Sequence, residues 1–404
     1  MRIALITESF APDVNGVANS VGRVADHLYR AGHQPLVIAP APASTRRRVA
    51  GPRPYPVVRV PSVPTPGYRG FRIGVPGPAL TDALIAHAPD VVHLASPFVL
   101  GARGGGLAAS LGLPTVAVYQ TDMAAYLRLY GPGRWRRAPA EMLAGRRAPA
   151  EILAWRWLRR IHNTADLTLA PSKAAAAALS AQGIERVRLW PRGVDLDRFS
   201  PARRSERLRR LLAPGGELLV GYVGRLAPEK RVELLGAVCR LPGVRVVVVG
   251  DGPSRPALAR ALPGAVFLGE RHGHQLARIY ASLDVFAHTG PHETFGQTVQ
   301  EALASGVPVV APAAGGPMDL VTPGLTGALV PPADAGAIAA VVAGLRADPG
   351  RRDAYARAAR ESVAGRSWSA IGDLLLDHYY EAIGIDLPGK PSQKRTTLAY
   401  AQGR

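Results

Sequence analysis

Two glutamates stand eight positions apart, Glu293 and Glu301, in the stretch Pro291-His292-Glu293-Thr294-Phe295-Gly296-Gln297-Thr298-Val299-Gln300-Glu301-Ala302-Leu303-Ala304-Ser305-Gly306. Gly296 marks a turn just after the first. An amphipathic run, Val299, Ala302 and Leu303, then carries the second and closes at Gly306. The pattern predicts one carboxylate in the loop before a helix N-terminus and another about two turns along that helix. A helix start offers unpaired N–H groups and the positive end of the peptide dipoles, so a diphosphate docks there without a metal. The first carboxylate then reaches a hydroxyl on one side of the phosphates, and the second reaches a ribose diol on the other. The spacing is a poor fit to a two-carboxylate glycosidase, whose acids must face one bond. The plain alternative is a capped surface helix with one glutamate in solvent.

Two further loops bear on this choice. In Val223-Gly224-Arg225-Leu226-Ala227-Pro228-Glu229-Lys230-Arg231 a strand ends at a glycine, and two cations follow five positions apart, Arg225 and Lys230. Open α/β sheets bind ligands above their strand ends, where such cations would neutralise a departing diphosphate. Without such a ligand they are solvated loop charges. Near the N-terminus, Asp13-Val14-Asn15-Gly16-Val17 follows an apolar strand and precedes a helix. Gly16 there lets backbone approach a phosphate, or makes an ordinary tight turn. The GxGxxG dinucleotide fingerprint is absent, which disfavours a Rossmann-type dehydrogenase. Val249-Gly250-Asp251-Gly252-Pro253 reads as cleft floor, and His93 as a core histidine at a strand end.

These loops must be positioned by strands and helices. Strand-length apolar runs fall at Ile3–Thr7, Leu36–Ala39, Val57–Val60, Val91–Leu94, Val116–Tyr119 and Leu167–Ala170, with helical segments such as Val21–Arg30 between them. Past Pro191 the pattern restarts at Leu218–Val223, Val244–Val249, Val266–Leu268, Val285–His288 and Val307–Ala311. Continuous apolar strands alternating with helices predict parallel sheets covered on both faces, and two sets predict two doubly wound domains. The expected division is a domain over residues 1–190, a second over 191–365, a helix over 366–383 returning to the first domain, and a loose tail over 384–404. Residues 136–145 are repeated almost unchanged as 146–155, with Pro139 and Pro149 each suited to a helix first turn. Two copies are too few for a solenoid and read as an insertion in a tolerant surface region.

Composition narrows the partners. The 404 residues carry a net charge of +19, nearly all from arginine, in runs such as Arg46-Arg47-Arg48 and Arg203-Arg204. Genome base composition, anionic lipid headgroups and nucleic acid each account for such a balance. No aromatic-interleaved basic patch, zinc pattern or recognition helix accompanies it, so nucleic acid is set aside. A single cysteine, Cys239, excludes an internal disulfide and fits a reducing cytoplasm. No apolar run is long enough to span a membrane, and Glu8 comes too early for a secretory signal.

Taken together, Asn15-Gly16-Val17, Gly224-Arg225-Leu226 with Glu229-Lys230, and Glu293 through Glu301 resemble the retaining glycosyltransferases of family 4, which have the GT-B fold: two Rossmann-like domains facing a central cleft. The resemblance covers the chain to about residue 380. Tyr119-Gln120-Thr121-Asp122, His292-Glu293-Thr294-Phe295 and Tyr280 through Phe286 resemble actinobacterial GDP-mannose-dependent α-mannosyltransferases. The resemblance implies that Gly16 and Val17 meet the diphosphate and that Arg225 and Lys230, beside Gly224, stabilise the leaving group. Glu293 would hold the transferred sugar beside the backbone of Thr294, Phe295 and Gly296. Glu301 would bind the ribose, and Glu270 and Arg271 would lie near the base. Tyr119, Gln120 and Asp122 would face the sugar or acceptor. Many relatives have a histidine where this chain has Gln120; an amide can hydrogen-bond a hydroxyl but cannot titrate.

The implied reaction is hexosyl transfer, of mannose from GDP-mannose, to a membrane glycolipid or other glycan, with no metal or cofactor required. A UDP-sugar donor is the alternative, followed by a sugar-nucleotide epimerase or a non-catalytic sensor. The implied location is cytoplasmic, at the inner face of the plasma membrane, with an anionic lipid as partner.

Overall fold

The computed structural model describes residues 1–13, 15–42, 53–64, 72–96, 98–120 and 149–385. The first half builds a seven-stranded parallel sheet from β1 (Arg2–Ile6), β2 (Gln34–Pro40), β3 (Val57–Val60), β6 (Val91–Leu94), β7 (Thr115–Val118), β8 (Leu167–Ala170) and β9 (Val187–Leu189), in the order β3-β2-β1-β6-β7-β8-β9. A short antiparallel pair, β4 (Ser62–Pro64) and β5 (Arg72–Gly74), stands beside it. The second half builds a six-stranded parallel sheet from β10 (Leu218–Val223), β11 (Val244–Val249), β12 (Val266–Gly269), β13 (Val285–Ala287), β14 (Val309–Pro312) and β15 (Gly327–Val330), in the order β12-β11-β10-β13-β14-β15.

Both sheets reverse strand order, between β1 and β6 and between β10 and β13. Loops diverge at such switch points and leave a crevice above the strand ends. The loops with chemistry are the ones leaving β1, β10 and β13. The strands read as continuous apolar runs because helices cover both faces. Val220, Val246 and Val248 pack into one cluster and Leu219, Val247 and Val249 into another on the opposite face.

The helix Gly16–Arg30 begins five residues before the apolar period that announced it at Val21. Asn15 caps it, its side-chain oxygen accepting the Ala18 N–H at 2.9 Å. The last helix, Trp368–Ala382, places Ile371, Leu375 and Tyr379 in the same buried cluster as Trp190 and the β1 residues Ile3 and Leu5. Burying each large apolar side chain of that cluster is worth about 1.5–3 kcal/mol. The Trp190 indole N–H donates to the Ile371 carbonyl at 2.9 Å, and the Tyr379 hydroxyl meets His93 Nδ1 at 2.8 Å. His93 is thus a core residue whose ring burial pushes to about 3, so it stays neutral.

Pro149 opens a single helix, Pro149–Thr164, in the second copy of the duplicated segment. The first copy, with Pro139, lies outside the described residues. Among the described residues no helix is long and apolar enough to cross a membrane.

Candidate active site

The second half contributes two loops. After β10, Gly224 leads into Arg225 and then a short 3-10 turn over Pro228–Lys230. The floor under it is glycine by necessity, since a Cβ on Gly250 would overlap the Gly224 carbonyl oxygen. After β13, the chain passes His288 and Gly290 to Glu293 and then enters the helix Gln297–Ala304. Gly296 precedes that helix at φ 95°, a left-handed conformation that a side chain would strain. Glu301 therefore lies just over one turn into the helix, nearer its N-terminus than the apolar period suggested, because the helix starts only at Gln297.

The two loops meet through charge. The Lys230 ammonium pairs with Glu293 Oε1, and the Arg225 guanidinium pairs with the buried Glu229. His288, also buried, stands with Nε2 3.7 Å from Glu293 and 3.0 Å from the Gly290 carbonyl oxygen. Burial alone would raise the Glu293 carboxyl. The charge of Lys230, with smaller contributions from His288 and Arg192, outweighs it and holds the group below its usual range. Glu293 is an anion held among cations, suited to accepting hydroxyl hydrogens and unsuited to delivering a proton.

The first half contributes Gly16 and Gln120, on loops leaving β1 and β7. Gly16 is exposed and Val17 half-buried against the core of that half. The Gln120 amide is engaged at both ends. Its Nε2 donates to the Ala95 carbonyl at 3.0 Å, and its oxygen accepts from the Arg192 guanidinium. Arg192 also donates to the Gly16 carbonyl at 2.9 Å. The Thr294 hydroxyl reaches the Gln120 carbonyl at 3.3 Å, so the Glu293 loop touches the first half directly.

Glu301 occupies a separate part of the crevice. A cavity of about 110 Å³ is lined there by Asn19 and Arg23 of the first helix, Asp195, Arg198, Gln297 and Glu301, among others. Burial raises the Glu301 carboxyl to about 7, against the opposing pull of the nearby Tyr280 hydroxyl, Gln297 amide and Arg198 charge. This carboxyl changes charge near neutrality.

The remaining sequence-derived residues are scattered. Tyr119 is buried, its ring stacked on Trp155 at 6.4 Å. Phe295 is buried in the second-half core, leaving only its backbone toward the crevice. Glu270 and Arg271 are exposed after β12, with Arg271 turned back to the Glu270 carbonyl at 2.9 Å. Asp122 lies outside the described residues. Among the described residues no cluster of three or more metal-type ligands occurs.

The chain matches the model of Glycosyltransferase Family 4 over residues 14–198 and that of Glycosyl transferases group 1 over residues 204–362. It is 49% identical to a GDP-mannose-dependent alpha-mannosyltransferase of Mycobacterium tuberculosis, over 94% of this chain and 96% of that protein. The chain belongs to glycosyltransferase family 4. It is also 41% identical to a protein of the same name from Corynebacterium glutamicum, over 95% of this chain and 90% of the relative. Its fold is GT-B. The sucrose-phosphate synthase of Thermosynechococcus elongatus superposes with a TM-score of 0.74 at 23% identity, covering 95% of this chain and 99% of that one.

In this family 4 glycosyltransferase, two residues beside Glu293 went unread in the sequence. His288 closes the apolar run Val285–His288 and looked like part of the strand, which ends at Ala287. Arg192, in Trp190-Pro191-Arg192-Gly193, looked like punctuation between two sets of strands. No local period marks either. The only signal for Arg192 was a cation in a short joint between two halves that share a cleft.

Proposed function

We propose that this glycosyltransferase moves an α-mannosyl group from GDP-mannose to a membrane glycolipid or related glycan, with retention of configuration. Residues 1–190 bind the acceptor and residues 191–365 the nucleotide sugar. The observation that carries the reading is the Lys230–Glu293 pair, set before the Gln297–Ala304 helix on a loop whose Thr294 touches Gln120 of the first half. A diphosphate at that helix start meets Lys230 and Arg225 as charge develops on it, and Glu293 accepts hydroxyl hydrogens from the sugar. Glu301 binds the ribose, with Glu270 and Arg271 toward the base. The acceptor oxygen bonds to the anomeric carbon as the bond to the diphosphate breaks, and the acceptor proton passes to the departing phosphate oxygen. Closure of the crevice excludes water from this step. The names of the relatives support mannose and GDP.

The lipid half of the reading is supported by the helix Pro149–Thr164. Its outer face exposes Ile152 (45%), Leu153 (63%) and Trp157 (42%) among the arginines Arg156, Arg159 and Arg160. Apolar side chains interleaved with cations suit an anionic bilayer surface at the cytoplasmic face of the membrane.

A donor panel tests the first half of the reading. GDP-mannose should release its nucleotide faster than UDP-glucose or UDP-GlcNAc, and NMR of the product should show an α-linkage. Faster turnover of a UDP-sugar, or a β-product, would sink it. For the lipid half, the protein should sediment with anionic vesicles and not with neutral ones, and Leu153→Asp/Trp157→Asp should abolish the difference. Equal sedimentation with both vesicle types counts against it.

A further inference from the structure

The segment joining the halves supplies a cation that reaches both Gly16 and Gln120 of the first half. Arg192 follows Trp190, the residue fastened to the last helix, and its backbone is tied to the second half. Its carbonyl accepts from the buried Gln300 side chain at 2.9 Å, and the next carbonyl, of Gly193, accepts from Gln297 at 3.2 Å. Its side chain points the other way. One Nη donates to the Gly16 carbonyl at 2.9 Å and the other to the Gln120 side-chain oxygen. Glu293 is close enough for its charge to favour the ionised guanidinium, while burial among these groups pulls it down to about 10, still charged at neutral pH.

The chemistry of the two acceptors matters. A carbonyl oxygen presents the negative end of its dipole. An uncovered Gln120 oxygen would repel a phosphate at the mouth of an anion site, while the Gly16 carbonyl, in the first turn of the helix Gly16–Arg30, ties Arg192 to that helix start. Arg192 covers both with one planar fork, which a lysine ammonium cannot match. The Ala95 carbonyl holds the Gln120 amide nitrogen, which aims the amide oxygen at Arg192. The Gln120–Arg192 pair therefore stands where a lone Gln120 was expected to meet a sugar hydroxyl.

We propose that Arg192 is a positioning residue for transfer: by holding the Gly16 and Gln120 acceptor oxygens it makes the first half's loops receptive to the donor diphosphate. Because its carbonyl is bonded to the second half while its guanidinium grips the first, this contact spans the two halves as they are apposed here. The proposal rests on the reading that a nucleotide sugar occupies the crevice.

The test is a double-mutant cycle. Arg192→Met and Arg192→Lys are made alone and with Gln120→Leu. Each is assayed for kcat and KM with GDP-mannose, for GDP binding by calorimetry, and for thermal unfolding. Arg192→Met should lower kcat/KM by about 10²-fold and weaken GDP binding, with little change in melting temperature. Arg192→Lys should recover roughly tenfold of that loss, since it restores charge without the fork. Adding Gln120→Leu to Arg192→Met should lose nothing further, because one acceptor that needed covering is gone. The proposal is overturned if Arg192→Met keeps wild-type kcat/KM and GDP affinity. It is equally overturned if the losses add fully with Gln120→Leu, or if activity only follows melting temperature and lysine rescues nothing. Failure of the donor reading looks different: wild type binds GDP without turning over GDP-mannose, and the GDP-binding arm still decides the role of Arg192.

Discussion

The two faces of the crevice are built on opposite electrostatic plans. On the second half, each cation has its own counter-ion nearby, Arg225 with Glu229 and Lys230 with Glu293, all on loops of one sheet. On the first half, Gly16 and Gln120 bring acceptor oxygens, and the cation between them comes from the joint. One face arrives charged and internally balanced; the other is completed only when the joint is threaded between them. A charge pair within one domain is maintained however the domains move. A charge that spans them reports their apposition.

The largest expected effect breaks the self-contained face. Lys230→Ala removes the ammonium beside Glu293 and should lower kcat/KM with GDP-mannose by about 10³-fold in steady-state assays. A loss smaller than that of Arg192→Met would reverse the ranking of the two faces. Next, Arg225→Ala should cost about 10²-fold, expressed mainly in kcat, because its charge matters most as the diphosphate departs. If the loss falls wholly on KM, Arg225 serves donor binding and not the leaving group.

The third effect tests the proposed ribose contact of Glu301 by pH. The Glu301 carboxyl is raised by burial to about 7 from an ordinary 4.5, so the folded chain holds that proton more tightly than the unfolded one. Stability of the donor-free protein is therefore undiminished by this group below about pH 4.5 and falls as pH rises through about 7. Glu301→Gln should remove that decline, raising the melting temperature relative to wild type at pH 8 and not at pH 4.5. The wild-type KM for donor should rise as pH drops below 7, while Glu301→Gln gives a flat, weaker KM. A pH-independent wild-type KM would remove Glu301 from the donor site.

The smallest effect concerns the anchor of the joint. Trp190→Phe deletes the hydrogen bond to the Ile371 carbonyl and should cost about 1 kcal/mol, read as a modest drop in melting temperature. Activity should fall far less than for Arg192→Met. An equal fall would show that the anchoring of the segment, and not the guanidinium, sets the first face.

Much of this architecture was legible because buried parallel strands are locally encoded. Leu218–Val223 and Val244–Val249 are apolar at nearly every position, and both are strands with the boundaries their runs announced. Four strands escaped notice: β4 and β5 form the small antiparallel pair, and β9 and β15 lie at the edges of the two parallel sheets. Val187–Leu189 is half-buried to exposed, and Gly327–Val330 begins with glycine, so neither carries a full apolar signal. The Asn15 cap shows the same limit at a helix start. Its hydrogen bond extends the helix by five residues where apolar spacing is silent.

By itself, the sequence determined the buried central strands, their grouping into two sets, and the loops at β1, β10 and β13 that carry Gly16, Arg225, Lys230 and Glu293. Each depends on neighbours within a few residues, or on a strand running directly into a loop. Only the tertiary structure decided which charges face each other. Lys230 and Glu293 are 63 positions apart, Arg192 and Gln120 are 72 apart, and Arg192 and Gly16 are 176 apart. Such pairs have no local period to betray them. They form because two switch-point crevices open toward each other and the joint between them passes through the gap.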